Sequence, residues 1–344
     1  MTSTQLRRTF GAVVLAVAVV ITATAAAAAP QRDVANAKQQ VDLSGVTLRA
    51  GDQLEILRTQ LEASGEDRDV PYDVEWSTFV GGPAVLAAQT GGSVDVGFMA
   101  ETPLVFAQAA GNPVKVVAAS QVVDPKTSGF ALVVQPDSDI TKLSQLKGKK
   151  IGYSTGTITQ YFLLNALKKA GLDFTDVQAV NFTGLGGQSA FENGEVDAAV
   201  TSEPFLSGQL TDKKARILVT GAGLTPGFTY LVARDDALKD KKTSAALSDF
   251  VARVARAQKW WGEHPEEVAK ANEETFKLSP EAALASAKRT KAQYLPIDDA
   301  VVAAQQKESD AFLGLGVIPK KLVAEELFDT RFNKVVAAVA AENS

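Results

Sequence analysis

The chain has 344 residues and a formal net charge of −5, and it contains no cysteine and one histidine. These counts exclude disulfides, thiolate metal sites and cysteine nucleophiles, and they leave little for a histidine triad or a histidine metal cluster. The negative charge, without a dense block of lysine and arginine, argues against a nucleic-acid partner. We expect no metal and no cofactor, and the 46% of hydrophobic residues are enough for sizeable cores.

The first 29 residues have the pattern of an export signal. Arg7 and Arg8 are followed by an apolar run over residues 10–21 and then by alanine-rich sequence. This order predicts a signal peptide over residues 1–29, of the Sec type or the Tat type. A chain without cysteine is not a lipoprotein, so we expect an exported protein that is periplasmic or associated with the cell envelope. Residues 30–42 are polar and are expected to form a flexible lead-in.

After the lead-in, apolar segments of strand length alternate with segments of helical periodicity. Strands are predicted at residues 46–50, 72–77, 94–99 and 114–119. Helices are predicted between them, at 52–63, from Gly81 and Gly82 onward, and at 103–111. This order is typical of a mostly parallel sheet that is covered by helices.

An extended segment at 130–135 precedes a second series in the same order. Its predicted elements are strands at 149–153, 177–181, 196–201 and 215–219, a helix at 157–170, and a returning extended segment at 228–233. From about residue 245 the sequence is expected to be wholly helical, with one helix that ends at Trp260 and Trp261 and others at 265–276, 280–292, 298–313 and 320–340. We expect the aromatic residues of this tail to pack it onto the first lobe.

The two series share a repeated unit. Residues 81–103 and residues 186–204 each contain a Gly-Gly helix start, a turn glycine, a strand that begins with Val-Asp, and a final proline. We interpret Asp95 and Asp197 as structural, and we expect Thr102 and Glu203 to stand at helix N-caps.

The repeat predicts two similar lobes. The domain boundaries are a first lobe over 43–129, a second over 130–225, and a return strand with a helical tail over 226–344 that completes the first. Two crossings between lobes allow them to close on a ligand.

Several stretches of the chain together resemble a known family. They are EWSTFVGGP at 75–83, GSVDVG at 92–97, PLVFAQAAG at 103–111, LKGKKIGYSTGT at 146–157, LLNALKKAGLDFTDVQ at 163–178, GEVDAAV at 194–200 and VIPKK at 317–321. They resemble the substrate-binding proteins of ABC importers in the aliphatic sulfonate, taurine and nitrate branch, and most of all the alkanesulfonate-binding group. The resemblance implies an α/β, type II periplasmic-binding-protein fold, with ligand held between two βα lobes and a helical C-terminal tail packed on lobe one.

The resemblance also implies the function. A member of this family is a monomeric receptor, not an enzyme, which binds an organosulfonate of the alkanesulfonate or taurine type and delivers it to an ABC permease and its ATPase. Nitrate, a thiamine precursor or another small nitrogen or sulfur compound stays open as the ligand. Two departures bear on this choice: residues 156–160 lack the histidine that is usual there, and Ser202-Glu203-Pro204 replaces the common Trp-Asp-Pro.

Ligands of open α/β sheets bind beyond the carboxyl ends of the strands, so the candidate binding residues lie in those loops. They are Asp52, Gln53, Phe79, Gly82, Pro83, Glu101, Thr102, Ser154, Thr155, Gly156, Thr157, Thr159, Ser202, Glu203, Phe228 and Thr229. Backbone N–H groups at Gly82 and at 155–157, together with the Thr157 and Thr159 hydroxyls, are expected to hold an oxyanion.

Each candidate also has a purely structural interpretation. Gly82 and Pro83 can simply shape a helix start, and Thr102 and Glu203 can simply cap one. His264 precedes a helix-start pattern and is interpreted as structural. If two of the three acids at positions 52, 101 and 203 face the cleft, a ligand with a cationic or hydrogen-bond-donating end, such as an aminosulfonate, is favoured over sulfate.

Overall fold

A computed structural model of the chain describes residues 41–124, 126–182 and 186–342. The predicted signal peptide and the lead-in up to residue 40 lie outside the described residues. The chain from Val41 onward forms one unit. Within the described ranges, no helix is both long enough and apolar enough to cross a membrane.

The strands and helices alternate through the first two thirds of the chain. The strands are β1 (Thr47–Gln53), β2 (Asp73–Phe79), β3 (Val96–Ala100), β4 (Val114–Val122), β5 (Phe130–Val134), β6 (Lys150–Tyr153), β7 (Gln178–Asn181), β8 (Ala198–Ser202), β9 (Arg216–Thr220), β10 (Phe228–Arg234) and β11 (Ala292–Leu295). The α-helices are α1 (Ile56–Ser64), α2 (Gly82–Thr90), α3 (Thr102–Ala110), α4 (Ile158–Lys169), α5 (Gly186–Glu192), α6 (Phe205–Thr211), α7 (Asp235–Lys239), α8 (Lys241–Glu263), α9 (Pro265–Phe276), α10 (Pro280–Arg289), α11 (Asp299–Gly314) and α12 (Asn333–Ala341).

Two sheets of matching topology confirm the two-lobed repeat. The first sheet has the strand order β2-β1-β3-β10-β4-β11, and the second has the order β7-β6-β8-β5-β9. In each sheet the first three strands are parallel, and the fourth, β10 or β5, is antiparallel to both of its neighbours. That antiparallel strand follows a crossing from the other lobe, as the sequence predicted.

The repeated aspartates hold equivalent strands together. Asp95 donates its backbone N–H to the Arg49 carbonyl at 2.8 Å, and its carboxylate accepts the Arg49 N–H at 3.1 Å. Asp197 makes the same two bonds with Lys150, at 2.9 Å and 2.8 Å. These bonds join β3 to β1 and β8 to β6, which confirms the structural interpretation of both residues.

Each sheet is covered by helices on both faces because successive strand residues point to opposite sides. In β10, Leu231 packs with α1, α8 and α12, whereas Tyr230 packs with α2 and α3. In β5, Leu132 packs with α4, whereas Ala131 packs with α5 and α6. The helices α1 and α8 therefore lie across the first sheet from α2 and α3, and α4 lies across the second sheet from α6.

The C-terminal tail differs most from expectation. The prediction of a wholly helical tail is wrong, because residues 292–295 form β11 at the edge of the first sheet, where Tyr294 is buried. The predicted helix at 320–340 is also wrong. Two short 3₁₀ turns precede α12 there, because the Asp329 N–H donates to the Val116 carbonyl of β4 at 2.9 Å and holds the segment extended.

The tail packs on the first lobe, as expected, and it also contacts the second. α8 packs against α1 and β11, while α10 packs against α6 of the second lobe. In the same way Phe312 of α11 lies 5.9 Å, between ring centroids, from Tyr161 of α4. The tail thus connects the two lobes on two sides.

Candidate functional site: a cavity between the lobes

A cavity of about 730 Å³ lies between the two lobes. Ten of the predicted site residues line it: Gln53, Gly82, Glu101, Ser154, Thr157, Thr159, Ser202, Glu203, Phe228 and Thr229. The other six do not line it: Asp52, Phe79, Pro83, Thr102, Thr155 and Gly156. The rule that places sites at strand carboxyl ends therefore finds the cavity but does not distinguish the side chains that face it.

The start of α4 is a tightly hydrogen-bonded loop on the second lobe. Thr157 has an extended backbone and is the N-cap, and its hydroxyl donates to the Ser154 carbonyl at 2.8 Å. The Thr159 hydroxyl accepts the Ser154 N–H at 2.9 Å and lies 2.8 Å from the Thr157 hydroxyl. Both threonine hydroxyls lie at the helix N-terminus beside the cavity, but their protons are used within the loop, so the expectation that they donate to an oxyanion is wrong in this structure.

The amide groups available to an anion differ from those predicted. The Thr155 N–H donates to the Asn181 side chain and the Gly156 N–H to the Gln160 side chain, each at 2.8 Å, so neither faces the cavity. In the described part of the chain, the N–H groups of Thr157 and Ile158 make no hydrogen bond. Of the three predicted N–H groups at 155–157, only that of Thr157 is therefore unpaired among the described residues, and Ile158 provides an additional one.

The first lobe contributes the start of α2 to the cavity lining, and only glycine fits at position 82. A Cβ at Gly82 would lie 2.7 Å from Pro103 Cγ and 2.9 Å from Met99 Cβ. Pro83 does not line the cavity but lies near the opposite lobe, since a Cβ added at Gly156 would be 3.8 Å from its Cγ. The two lobes are therefore close together on this side.

Three predicted site residues are engaged in structure. The Asp52 carboxylate accepts the N–H groups of Leu57 and Arg58 at 2.9 and 2.8 Å, and burial raises its pKa to about 6. Thr102 is fully buried and donates its hydroxyl to the Glu308 carboxylate. Phe79 packs against the core beneath α2 and α3. The expectation that these side chains face the cleft is wrong, because Asp52 and Thr102 bond to other protein groups and Phe79 packs against the core.

The helix caps are also shifted by one residue. Glu101 and Pro204 are the N-caps of α3 and α6, where Thr102 and Glu203 were expected. The Glu101 carboxylate accepts the Phe228 N–H at 2.8 Å, and burial raises the pKa of Glu101 to about 7. Glu101 therefore joins the return strand β10 to the cavity wall.

Glu203 belongs to an ion pair that the sequence did not reveal. Its carboxylate accepts the Ser207 hydroxyl at 2.8 Å and lies 3.4 Å from the Arg289 guanidinium, which also donates to the Ser207 hydroxyl at 2.9 Å. Burial raises the pKa of Glu203. Arg289 is the only arginine, lysine or histidine among the described residues that line the cavity. It ends a tail helix far along the chain, and nothing in its local pattern marks it.

Two of the three acids line the cavity, which meets the condition of two acids at the cleft. The Glu203 carboxylate and one oxygen of Glu101 are held by protein donors, whereas Glu101 Oε2 is buried and has no partner among the described residues. In the ranges that the structure describes, no group of three or more aspartate, glutamate or histidine side chains could hold a metal ion. His264 is outside the cavity lining, and its ring stacks on Trp260 at 4.7 Å.

Comparisons with known proteins give a consistent result. The family model described as NMT1/THI5 like matches residues 79–268. A protein of Escherichia coli (strain K12), named as an aliphatic sulfonates-binding protein, is 32% identical over 259 residues, which are 75% of this chain and 79% of the relative.

Solved structures agree with the observed fold. The periplasmic aliphatic sulphonate binding protein SsuA from Escherichia coli has a TM-score of 0.72 and 28% identity, over 82% of this chain and 92% of that one. The alkanesulfonate-binding protein SsuA from Xanthomonas axonopodis pv. citri, bound to MOPS, has a TM-score of 0.75 and 24% identity, over 82% and 98%. The match between their fold and the two sheets described above confirms the predicted periplasmic-binding-protein architecture.

Proposed function

We propose that this chain, which belongs to the NMT1/THI5-like family, is the solute-binding component of an ABC importer and binds an organosulfonate in the cavity between its lobes. The observation that carries the proposal is the N-terminus of α4 at the cavity. There the N–H groups of Thr157 and Ile158 have no partner within the described residues, and the hydroxyls of Thr157 and Thr159 are fixed beside them.

This arrangement suits a monoanion with several acceptor oxygens. A helix N-terminus favours negative charge, and its backbone donors can bind an oxyanion without a full counter-charge. Arg289, the one cation among the described residues of the cavity lining, is already paired with Glu203. A sulfonate therefore fits better than a dianion such as sulfate, and the names of the aligned relatives support the same ligand class.

The same reasoning supports a receptor rather than an enzyme. The chain has no cysteine, and its one histidine lies outside the cavity lining. A two-lobed binding protein acts by closing on its ligand, which shifts a conformational equilibrium and requires no chemistry. The permease and its ATPase are the partners in this proposal, with the chain exported by its N-terminal signal and acting as a monomer.

Isothermal titration calorimetry on residues 30–344 tests the proposal with ethanesulfonate, taurine, sulfate, nitrate and a thiamine precursor. We expect the sulfonates to bind and the inorganic anions to bind much more weakly. Binding of nitrate or the precursor alone would retain the receptor and replace the ligand. Binding of none by a folded protein would refute the proposed site.

A matched pair of variants at the first residue of α4 isolates the backbone donor. Proline is tolerated at the first helical position and removes only the N–H there, and the extended backbone of Thr157 (φ −118°, ψ 169°) suits a residue before proline. Ile158→Ala is the control, because it loses similar packing but keeps the N–H. Ile158→Pro should weaken sulfonate binding roughly tenfold or more relative to Ile158→Ala, the value of a hydrogen bond to a charged group.

A further inference from the structure

We propose that the organic part of the sulfonate carries an aromatic ring and that Phe182 binds this ring through an aromatic contact. This inference rests on the proposed function and specifies its substrate class as arylsulfonates and short arylalkyl sulfonates. Phe182 lines the cavity and is half-buried, so part of its surface is accessible to a ligand. Phe182 is then a specificity-determining residue, which distinguishes an aromatic sulfonate from a saturated one.

Two glycines fix the position of the Phe182 ring. A Cβ at Gly152 of β6 would lie 2.1 Å from the ring atoms Cε2 and Cζ, and a Cβ at Gly187 of α5 would lie 2.3 Å from Cδ2. Only glycine leaves room for the ring at these two positions. The ring therefore lies directly on the backbone of β6 and on the start of α5. Because it is held there before a ligand binds, little ordering of this side chain opposes binding.

Phe182 and the anion-binding donors share Ser154 as a neighbour. The Ser154 hydroxyl donates to the Phe182 carbonyl at 3.3 Å, and the Phe182 ring covers Gly152, which precedes Ser154 by two residues. On its other side, the Ser154 carbonyl accepts the Thr157 hydroxyl at 2.8 Å, at the start of α4. This placement calls for an aryl group that is attached to the sulfonate directly or through a short linker.

The cavity lining offers the organic group apolar surface rather than free charges. The charged residues among the described part of the lining are Glu101, Glu203 and Arg289. Glu203 and Arg289 pair with each other at 3.4 Å, and Glu101 accepts the Phe228 N–H at 2.8 Å while its other carboxylate oxygen is buried. A charged ligand end would have to disrupt these groups, whereas an uncharged ring leaves them as they are.

An aromatic contact distinguishes ligands of nearly equal size. Aromatic rings prefer offset-stacked or edge-to-face arrangements, and such a pair adds about two- to tenfold in affinity beyond the burial of apolar area. A saturated six-membered ring has the larger apolar surface, so the burial of area alone favours the saturated ligand. A preference for the aromatic ligand therefore indicates contact with an aromatic side chain rather than hydrophobicity.

The test compares ligands that differ in aromaticity. Residues 30–344 are titrated calorimetrically with benzene-, phenylmethane- and 2-phenylethanesulfonate, with the cyclohexyl counterpart of each, and with methanesulfonate as a common reference. In at least one pair the aromatic ligand should bind about two- to tenfold more tightly.

The outcomes separate this inference from the proposed function. Equal affinities within every pair, tighter binding of the saturated member throughout, or binding of methanesulfonate alone would overturn the aromatic preference and leave the sulfonate receptor. If the folded protein binds none of the seven sulfonates, the proposed function fails and this inference fails with it.

Two matched variants assign the preference to a side chain. Phe182→Leu should bring the affinity ratio of the selective pair close to one, with methanesulfonate titrated alongside to monitor the anion site. Phe205→Leu is the control and should keep the preference, since Phe205 is also half-buried and lines the same cavity but belongs to α6, which packs against α10.

Thermal unfolding shows whether both variants are folded. If Phe182→Leu is not, Phe182→Met, which fills more of the same space, carries the same expectation. A preference that survives without the Phe182 ring would overturn the assignment, and so would an equal loss of preference in the Phe182 and Phe205 variants.

Discussion

Two buried carboxyl groups, one of which lines the cavity, should make the stability of the protein depend on pH. Glu101 and Glu308 are at most 1% exposed, and the Oε2 atom of each has no hydrogen-bond partner within the described chain. The groups around them are uncharged at neutral pH: Thr102, Tyr161, Tyr230 and Gln305. Burial and the nearby Glu101 carboxylate raise the pKa of Glu308 well above its usual range.

The sign of the pH effect depends on whether the folded or the unfolded protein holds the Glu101 proton more tightly. Burial raises the pKa of Glu101 from 4.5 to about 7, so the folded protein keeps a proton that the unfolded chain loses. The stability that this group contributes is fully present below about pH 4.5 and is lost as the pH rises through the folded pKa of about 7. Asp52, whose pKa rises from 3.8 to about 6, acts in the same direction at lower pH.

Replacing the Glu308 carboxyl by an amide tests whether this pair of carboxyl groups causes the pH dependence of stability. Glu308→Gln keeps an acceptor for the Thr102 hydroxyl but removes one ionisable group, so at pH 8 it should be more stable than the wild type by about 2 kcal/mol. Its stability should also fall less between pH 5 and pH 8. Urea unfolding at four pH values measures both quantities, with the exposed Glu325→Gln as the control. A Glu308→Gln protein that is less stable than the wild type at pH 8 would refute the reasoning.

The repeat and the cavity give further predictions. Asp95→Asn should destabilise the fold by about 2–3 kcal/mol, because the carboxylate is only 5% exposed and binds both Arg49 and Arg234. Asp197→Asn should cost less than about 1 kcal/mol, because the Asp197 carboxylate is 39% exposed and its partner Lys149 is 3.9 Å away. Chemical denaturation measures both, and equal losses would contradict the comparison. Gly82→Ala should cost about 1–3 kcal/mol through its clash with Pro103 and should also weaken ligand binding, since α2 must shift at the cavity. Thermal unfolding and calorimetry separate the two effects, and a variant with unchanged stability would show that the site has more room than the structure indicates.

The elements of both lobes were predictable because their signals are local. Apolar runs of strand length, helix periodicity and the repeated Val-Asp strand start predicted the strands of both sheets to within a few residues, except β11 in the tail. The two aspartates make equivalent bonds because each repeat unit has the same short-range geometry. One boundary failed for a local reason that periodicity does not show. α1 begins at Ile56 rather than 52, since Leu54 and Glu55 adopt left-handed backbone angles, with φ of 55° and 64°.

The direction of the site side chains was not predictable, because it depends on contacts between distant segments. Thr102 and Asp52 have the residue types of ligand-binding positions. Thr102, however, bonds to Glu308, which is 206 positions away, and Asp52 accepts a hydrogen bond from the start of the next helix. Arg289 reaches the cavity only because α10 of the tail packs on α6 of the second lobe. No pattern within α10 marks that contact.

The tail also constrains how the cavity can open. If the tail belonged only to the first lobe, opening would require bending at the two crossings alone. The structure instead joins the lobes on one side through Arg289 and Glu203, and on the other through Phe312 and Tyr161. An opening motion must therefore separate the Arg289–Glu203 ion pair on one side or the Phe312–Tyr161 contact on the other. The Glu203 carboxylate of this ion pair is only 3% exposed, so salt should screen the pair little and the contact should persist at high ionic strength.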